Sequence, residues 1–173
     1  MSNQTIIIIG FMGSGKTTVG TELASLLAGR AVDLDSWIAE REQRSPADII
    51  EQDGEAAFRR IETQALGEVL RKASDSFATV VALGGGAWTT PENRQLIVKR
   101  GAFTAWLDPS FDVCWKRIVA GQEVRPLARS REQAEALYVT RRGIYELADA
   151  KIPVHENDSA EEIATRIASA ISQ

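Results

Sequence analysis

Residues 10 to 17, Gly10-Phe11-Met12-Gly13-Ser14-Gly15-Lys16-Thr17, fit the pattern G-x-x-x-x-G-K-[ST], in which each fixed position has a chemical reason. Glycines let the backbone curl so that successive N–H groups point at phosphate oxygens, and the helix that follows adds its positive end. Lys16 then reaches the β and γ phosphates. Thr17 offers a hydroxyl to Mg²⁺, which neutralises charge between those phosphates. The chemistry implied is binding of a nucleoside triphosphate with Mg²⁺. The loop does not say what receives the phosphate.

Three further groups could act on an acceptor. Asp33-Leu34-Asp35 closes an apolar stretch, and strand alternation would put both carboxylates on one side, near the loop. Asp33 could hold Mg²⁺ through water and Asp35 could take a proton from an acceptor hydroxyl, although Asp35 would equally serve as a helix N-cap. In Phe58-Arg59-Arg60-Ile61-Glu62, Arg59 has Glu62 three residues on and Glu55 four before, which is either a surface ion-pair ladder or a held guanidinium. Gly84-Gly85-Gly86 costs conformational entropy that a plain connection would not need, so it is either a flexible turn or a place where main chain must approach a ligand closely.

These groups need elements to position them. Thr5 to Ile9 is a β-branched run that reads as a buried strand feeding the glycine-rich loop, and Thr17 to Leu27 has helical spacing. Ala31 to Leu34 predicts a second strand, and Trp37 to Glu42 resumes helical character. Ser45 caps a helix with Pro46 at its first position. After Gly54, Glu55 to Lys72 is a long amphipathic helix. Ala78 to Leu83 predicts a third strand, Thr90-Pro91 caps a helix to about Arg100, and Ala102 to Leu107 a fourth strand. Asp108-Pro109 is expected to start the helix through Val119. Gly121 to Arg131 lacks periodicity and is Arg-rich, Glu132 to Ala148 is helical, Ile152 to His155 is a fifth strand, and Ser159 with Glu162 forms a capping box for the last helix. Strands alternating with helices, without repeats or polar linkers, predict one α/β domain with a mostly parallel sheet, whose ligand sits beyond the carboxyl ends of the strands.

The 173 residues suffice for one domain with its own core. Apolar residues at 44% and charged ones at 25% exclude disordered, collagenous and disulfide-scaffold classes. The apolar run Ile6 to Ile9 is far short of a membrane span or export signal, and the single Cys114 forms no intramolecular disulfide, so the expected location is the cytoplasm. A net charge of −4 argues against broad nucleic-acid binding. Arg outnumbers Lys several-fold, which suits forked contacts with small anions. Cys114 and the lone His155 assemble no transition-metal cluster, and the tryptophans at 37, 88, 106 and 115 read as core or pocket wall.

Taken together, the phosphate loop, Asp33-x-Asp35, Phe58-Arg59-x-x-Glu62 and the triple glycine resemble shikimate kinases in order and approximate spacing. Arg125-Pro126-Leu127 looks like that family's lid motif, and Arg141 four before Tyr145 resembles its late Arg-x-x-x-Tyr element, so the resemblance covers essentially the whole chain. It implies a three-layer P-loop kinase fold with strand order 2-3-1-4-5, and transfer of the γ-phosphate of ATP to the 3-hydroxyl of shikimate. ATP would lie on Gly13, Ser14, Gly15, Lys16, Thr17 and Thr18, with Arg117 against the adenine and Arg125 swinging over the phosphates from a mobile lid around 121–131. Shikimate would be held by Asp35, Arg59, Gly84, Gly85, Gly86 and Arg141, within and beside a substrate-binding helical region around 35–62. Thr17 and Asp33 would serve Mg²⁺, with Lys16, Asp35 and Arg125 as catalytic residues. Shikimate's carboxylate gives two forked donors a reason to be there. The resemblance departs at Ile50, where an aromatic wall is usual, at Trp88, where a smaller residue is usual, and in the lid, which reads Pro126-Leu127-Ala128. The partners expected are ATP and shikimate acting on a monomer, with no nucleic acid and no membrane. Kinases for gluconate or a nucleoside monophosphate are the alternatives within the same chemistry, and a catalytically silent nucleotide switch is the alternative outside it; intact Asp33 and Asp35 speak against the switch.

Overall fold

The computed structural model describes residues 4–73, 76–121 and 126–172. Its central strand β1, Thr5–Gly10, carries four consecutive isoleucines that are all buried, because each face of the sheet is covered. Ile6 and Ile8 pack under α1 (Lys16–Leu26) and α8 (Ala160–Ile171), with Val19, Leu23, Ile163 and Ile167. Ile7 and Ile9 face the opposite core, built by α2 (Leu34–Glu42), α3 (Pro46–Asp53), α4 (Glu55–Lys72), α5 (Pro91–Arg100), α6 (Phe111–Ala120) and α7 (Arg131–Tyr145). The period of two in the strand thus produces three layers.

The remaining strands are β2 (Arg30–Asp33), β3 (Thr79–Ala82), β4 (Phe103–Pro109) and β5 (Ala150–Val154). All pair in parallel in the order β2-β3-β1-β4-β5, with Thr5 opposite Thr79, Ile6 opposite Phe103, Arg30 opposite Thr79 and Ala105 opposite Ala150. The α/β class and strand order are as expected. The chain leaves β1 for one side of the sheet and later returns to the other, so the carboxyl end of β1 is a switch point where a crevice opens. The phosphate loop leaves β1, Asp33 ends β2 and the glycine segment follows β3, and these three strands are neighbours.

Local chemistry sets the boundaries. Ser45 and Ser159 each accept from the third backbone N–H of α3 and α8, and Asp48 and Glu162 return the bond, completing two capping boxes. The helix expected from Asp108-Pro109 starts later: β4 runs through Pro109, which sits opposite Val154, and Ser110 caps α6 through Val113 N. Proline at a strand end forfeits little, and the serine after it is the better cap. Helix α7 stops at Tyr145 instead of Ala148, and β5 begins two residues before Ile152. Asp149 accounts for that early start: its Oδ2 accepts from Thr104 N at 2.8 Å and Thr104 Oγ1 at 2.7 Å, pinning the entry of β5 beside β4.

Candidate active site

The loop between β1 and α1 is shaped by left-handed glycines, Gly13 at φ 76° and Gly15 at φ 93°, conformations closed to most side chains. Gly15 occupies the N-cap of α1 and brings no side-chain acceptor, so the first-turn N–H groups of α1 face the loop. A Cβ on Gly13 would fall 2.6 Å from the backbone oxygen of Cys114, so the loop lies directly on α6. Lys16 Nζ is held over the loop by Phe11 O at 2.8 Å. Ser14 is fully buried within the turn, whereas Gly13, Gly15, Lys16, Thr17 and Thr18 line a cleft of about 700 Å³ that also reaches Asp33, Asp35, Ser36, Gly84 and Gly85.

The two aspartates divide their work differently from the alternation argument. Asp33 ends β2 and is itself the N-cap of α2, its Oδ1 accepting from Ser36 N at 2.9 Å; Asp35 already lies in the first helical turn. Helical placement after a strand end still brings both carboxylates into the cleft. The second oxygen of Asp33 accepts from Thr17 Oγ1 at 2.6 Å. A hydroxyl and a carboxylate side by side, next to Lys16, are hard oxygen donors of the kind Mg²⁺ takes together with substrate phosphates, so the pair fits that ion.

A second hollow, of about 110 Å³, shares Met12, Asp35, Pro46, Ala47, Gly84 and Gly85 with the cleft and adds Ile50, Phe58, Arg59, Glu62, Gly86, Pro126, Leu127 and Arg141. The triple glycine is its floor, and side chains crowd it so closely that an added Cβ at Gly84 or Gly86 would displace them. A Cβ on Gly84 would stand 2.8 Å from Asp35 Oδ1, one on Gly85 3.6 Å from Arg141 Nη1, and one on Gly86 2.3 Å from Arg59 Nη2. The segment is therefore a close-approach platform, not a flexible turn. Its carbonyls are tied back: Gly84 O accepts from Ala87 N, Gly86 O from Thr89 N and Thr89 Oγ1, and Gly85 O from the Tyr145 hydroxyl. Burial pushes the Tyr145 phenol up to about 12 against the pull of Arg141, which keeps that hydroxyl a donor.

Arg59 is no surface ladder. It donates to Glu62 Oε2 at 2.8 Å and Glu55 Oε1 at 3.2 Å, and Glu62 is wholly buried. Burial raises the Glu62 carboxyl to about 7, opposed by Arg59, and its Oε1 is buried without a hydrogen-bond partner. Sequence reasoning treated Glu62 only as a partner for Arg59. The signal was its place in the apolar stripe of α4, between Phe58 and Ala65, where a carboxylate needs a reason. Arg141 is 7% exposed and enters from α7 on the far side of Gly85. Asp35, Arg59, the three glycines and Arg141 therefore come together.

Arg117 reaches the phosphate loop from α6: it donates to Gly13 O at 3.2 Å, and its Nη1 is 3.6 Å from where a Gly15 Cβ would stand. Trp88 is a core residue in the 3₁₀ turn Ala87–Thr89 and lines neither cavity, so it does not shape the hollow's wall as its position after the glycines suggested; Ile50 does. Arg125 lies outside the described residues.

Comparison with known proteins agrees with this geometry. The family model described as shikimate kinase matches residues 12–172. The shikimate kinase of Streptococcus thermophilus is 37% identical over 162 residues, covering 91% of this chain and 94% of that protein. That of Lactococcus lactis subsp. cremoris is 39% identical over 166 residues, covering 95% and 96%. Among solved structures, a shikimate kinase from Acinetobacter baumannii in complex with shikimate superposes with a TM-score of 0.89 at 31% identity, covering 98% of this chain and 93% of that one. A gluconokinase from Sinorhizobium meliloti, at 17% identity and a TM-score of 0.66, shares the fold alone. A glycine platform flanked by two arginines and two carboxylates, set against a phosphate loop and matched by relatives along nearly its whole length, places the chain in the shikimate kinase family.

Proposed function

We propose that the two joined cavities transfer the γ-phosphoryl group of ATP to the 3-hydroxyl of shikimate, giving shikimate 3-phosphate and ADP. The observation that carries this reading is the platform itself: Asp35, Arg59, Glu62 and Arg141 converge on Gly84–Gly86 in a hollow that shares a wall with the phosphate-loop cleft. The triphosphate lies along Gly13–Lys16 and the first turn of α1, where backbone N–H groups and Lys16 neutralise it, while Thr17 and Thr18 close that end of the cleft. Arg117, against the loop, extends the binding surface toward the adenine.

Shikimate sits on the glycines with its carboxylate between the forks of Arg59 and Arg141, and its hydroxyls toward Asp35 and the unpaired oxygen of Glu62. Asp35 orients the 3-hydroxyl and accepts its proton as the oxygen attacks the γ-phosphorus in line. Thr17 and Asp33 hold Mg²⁺, which when bound neutralises charge on the β and γ phosphates. Because the transition state is loose, positioning and charge neutralisation do most of the work. The segment 121–131, including Arg125, serves as a lid that excludes water; Pro126 and Leu127 lie over the hollow. The reading extends to a cytoplasmic monomer working on small molecules without nucleic acid or membrane; its net charge of −4 opposes attraction to a phosphate backbone.

Asp35→Asn tests the acceptor side. Turnover of shikimate, followed as ADP release, should fall about 10³-fold or more while ATP binding measured by calorimetry holds. A variant turning over at the parent rate would remove Asp35 from the chemistry.

A further inference from the structure

We infer that Trp88, which touches neither cavity, is a positioning residue for shikimate: it fixes the arginine-bearing end of α7 against the glycine platform. The inference rests on the reading of the hollow as the shikimate subsite. Its observation is a reciprocal pair of hydrogen bonds. From α7, the Tyr145 hydroxyl donates to Gly85 O; from the platform's own 3₁₀ turn, the Trp88 indole Nε1 donates to Ile144 O at 2.9 Å. One bond would leave the helix end free to pivot about it. Two bonds running in opposite directions between residues 85–88 and 144–145 remove that freedom.

The indole bond is not there to satisfy a stranded carbonyl, because Ile144 O already accepts from Leu147 N at 3.2 Å. What it adds is orientation. Arg141 lies one turn before Tyr145, with Nη1 3.6 Å from where a Gly85 Cβ would stand, so a rotation of the last turn of α7 moves the guanidinium across the platform. Trp88 is itself immobilised: it is 3% exposed, packs in the core under the sheet, and its carbonyl accepts from Arg94 Nη1 at 2.7 Å. The nucleotide cleft draws no residue from α7 or the Trp88 turn, so the effect is confined to the acceptor.

Trp88→Phe keeps most of the apolar volume and removes the donor. The KM for shikimate should rise roughly five- to twenty-fold while kcat and the KM for ATP stay within about two-fold, since displacement of a binding group is felt steeply at that group's ligand alone. In the parent enzyme, the Trp88 indole N–H signal in ¹⁵N–¹H spectra should shift and exchange more slowly on adding shikimate without nucleotide. That measurement stands even if the Phe variant fails to fold. An unchanged shikimate KM, a parallel rise in both KM values, or an indole signal indifferent to saturating shikimate would each overturn the inference. A parent enzyme that neither binds nor phosphorylates shikimate would instead overturn the reading of the hollow.

Discussion

Glu62 shows how much a single buried carboxyl can reveal. It sits in the apolar stripe of α4 with one oxygen paired to Arg59 and the other unpaired. Burial raises it from 4.5 to about 7. A raised carboxyl holds its proton in the folded state where the unfolded chain has lost it, so its contribution to stability is complete below pH 4.5 and falls away as pH climbs through 7. A shift of that size corresponds to about 3 kcal/mol. Glu62→Gln keeps the volume and abolishes the titration, so the Tm of the variant minus that of the parent should increase from about pH 5 to about pH 8 and then level off. Thermal melts across that range check it, and a difference that shrinks with pH would contradict the burial. At this scale the sequence carried identity but not environment. Arg59 and Glu62 were legible as a pair three apart on one helix face, yet only packing decides whether such a pair is solvated or walled in.

The glycine platform belongs to the scale of elements, because it joins β3 to the Trp88 turn and meets α2, α4 and α7 at once. Gly86 has φ −106°, which any residue adopts, so alanine there costs the backbone nothing and acts only through its Cβ, 2.3 Å from Arg59 Nη2. Gly86→Ala should raise the shikimate KM about tenfold or more with little change in the KM for ATP. Loss of both affinities together would contradict the division between the cavities. Most elements were legible. The Ser45 and Ser159 caps, the long α4 and the isoleucine strand follow from propensity and period. Boundaries set by long-range bonds were not: the Asp149–Thr104 bridge joins residues 45 apart in sequence, and no local pattern announces it. Asp33 took the N-cap of α2 because the helix begins directly at the strand end, without the extra residue that alternation assumed.

For the molecule as a whole, strand order does the decisive work. With β3 between β1 and β2, the phosphate loop, the aspartates and the platform, scattered from residue 10 to residue 86, emerge together at the carboxyl ends of adjacent strands. Helix α7, in the same layer as α2 and α4, then closes the hollow with Arg141. That order was legible through resemblance, since alternating strands and helices alone permit several others. The joined cavities are built to select a small cyclic acid as acceptor, and ADP release by the purified chain with ATP, Mg²⁺ and, in parallel, shikimate, gluconate or AMP measures that selection. Rapid release with shikimate alone is the predicted result; equal or faster release with gluconate or AMP, or none with any acceptor, would contradict it.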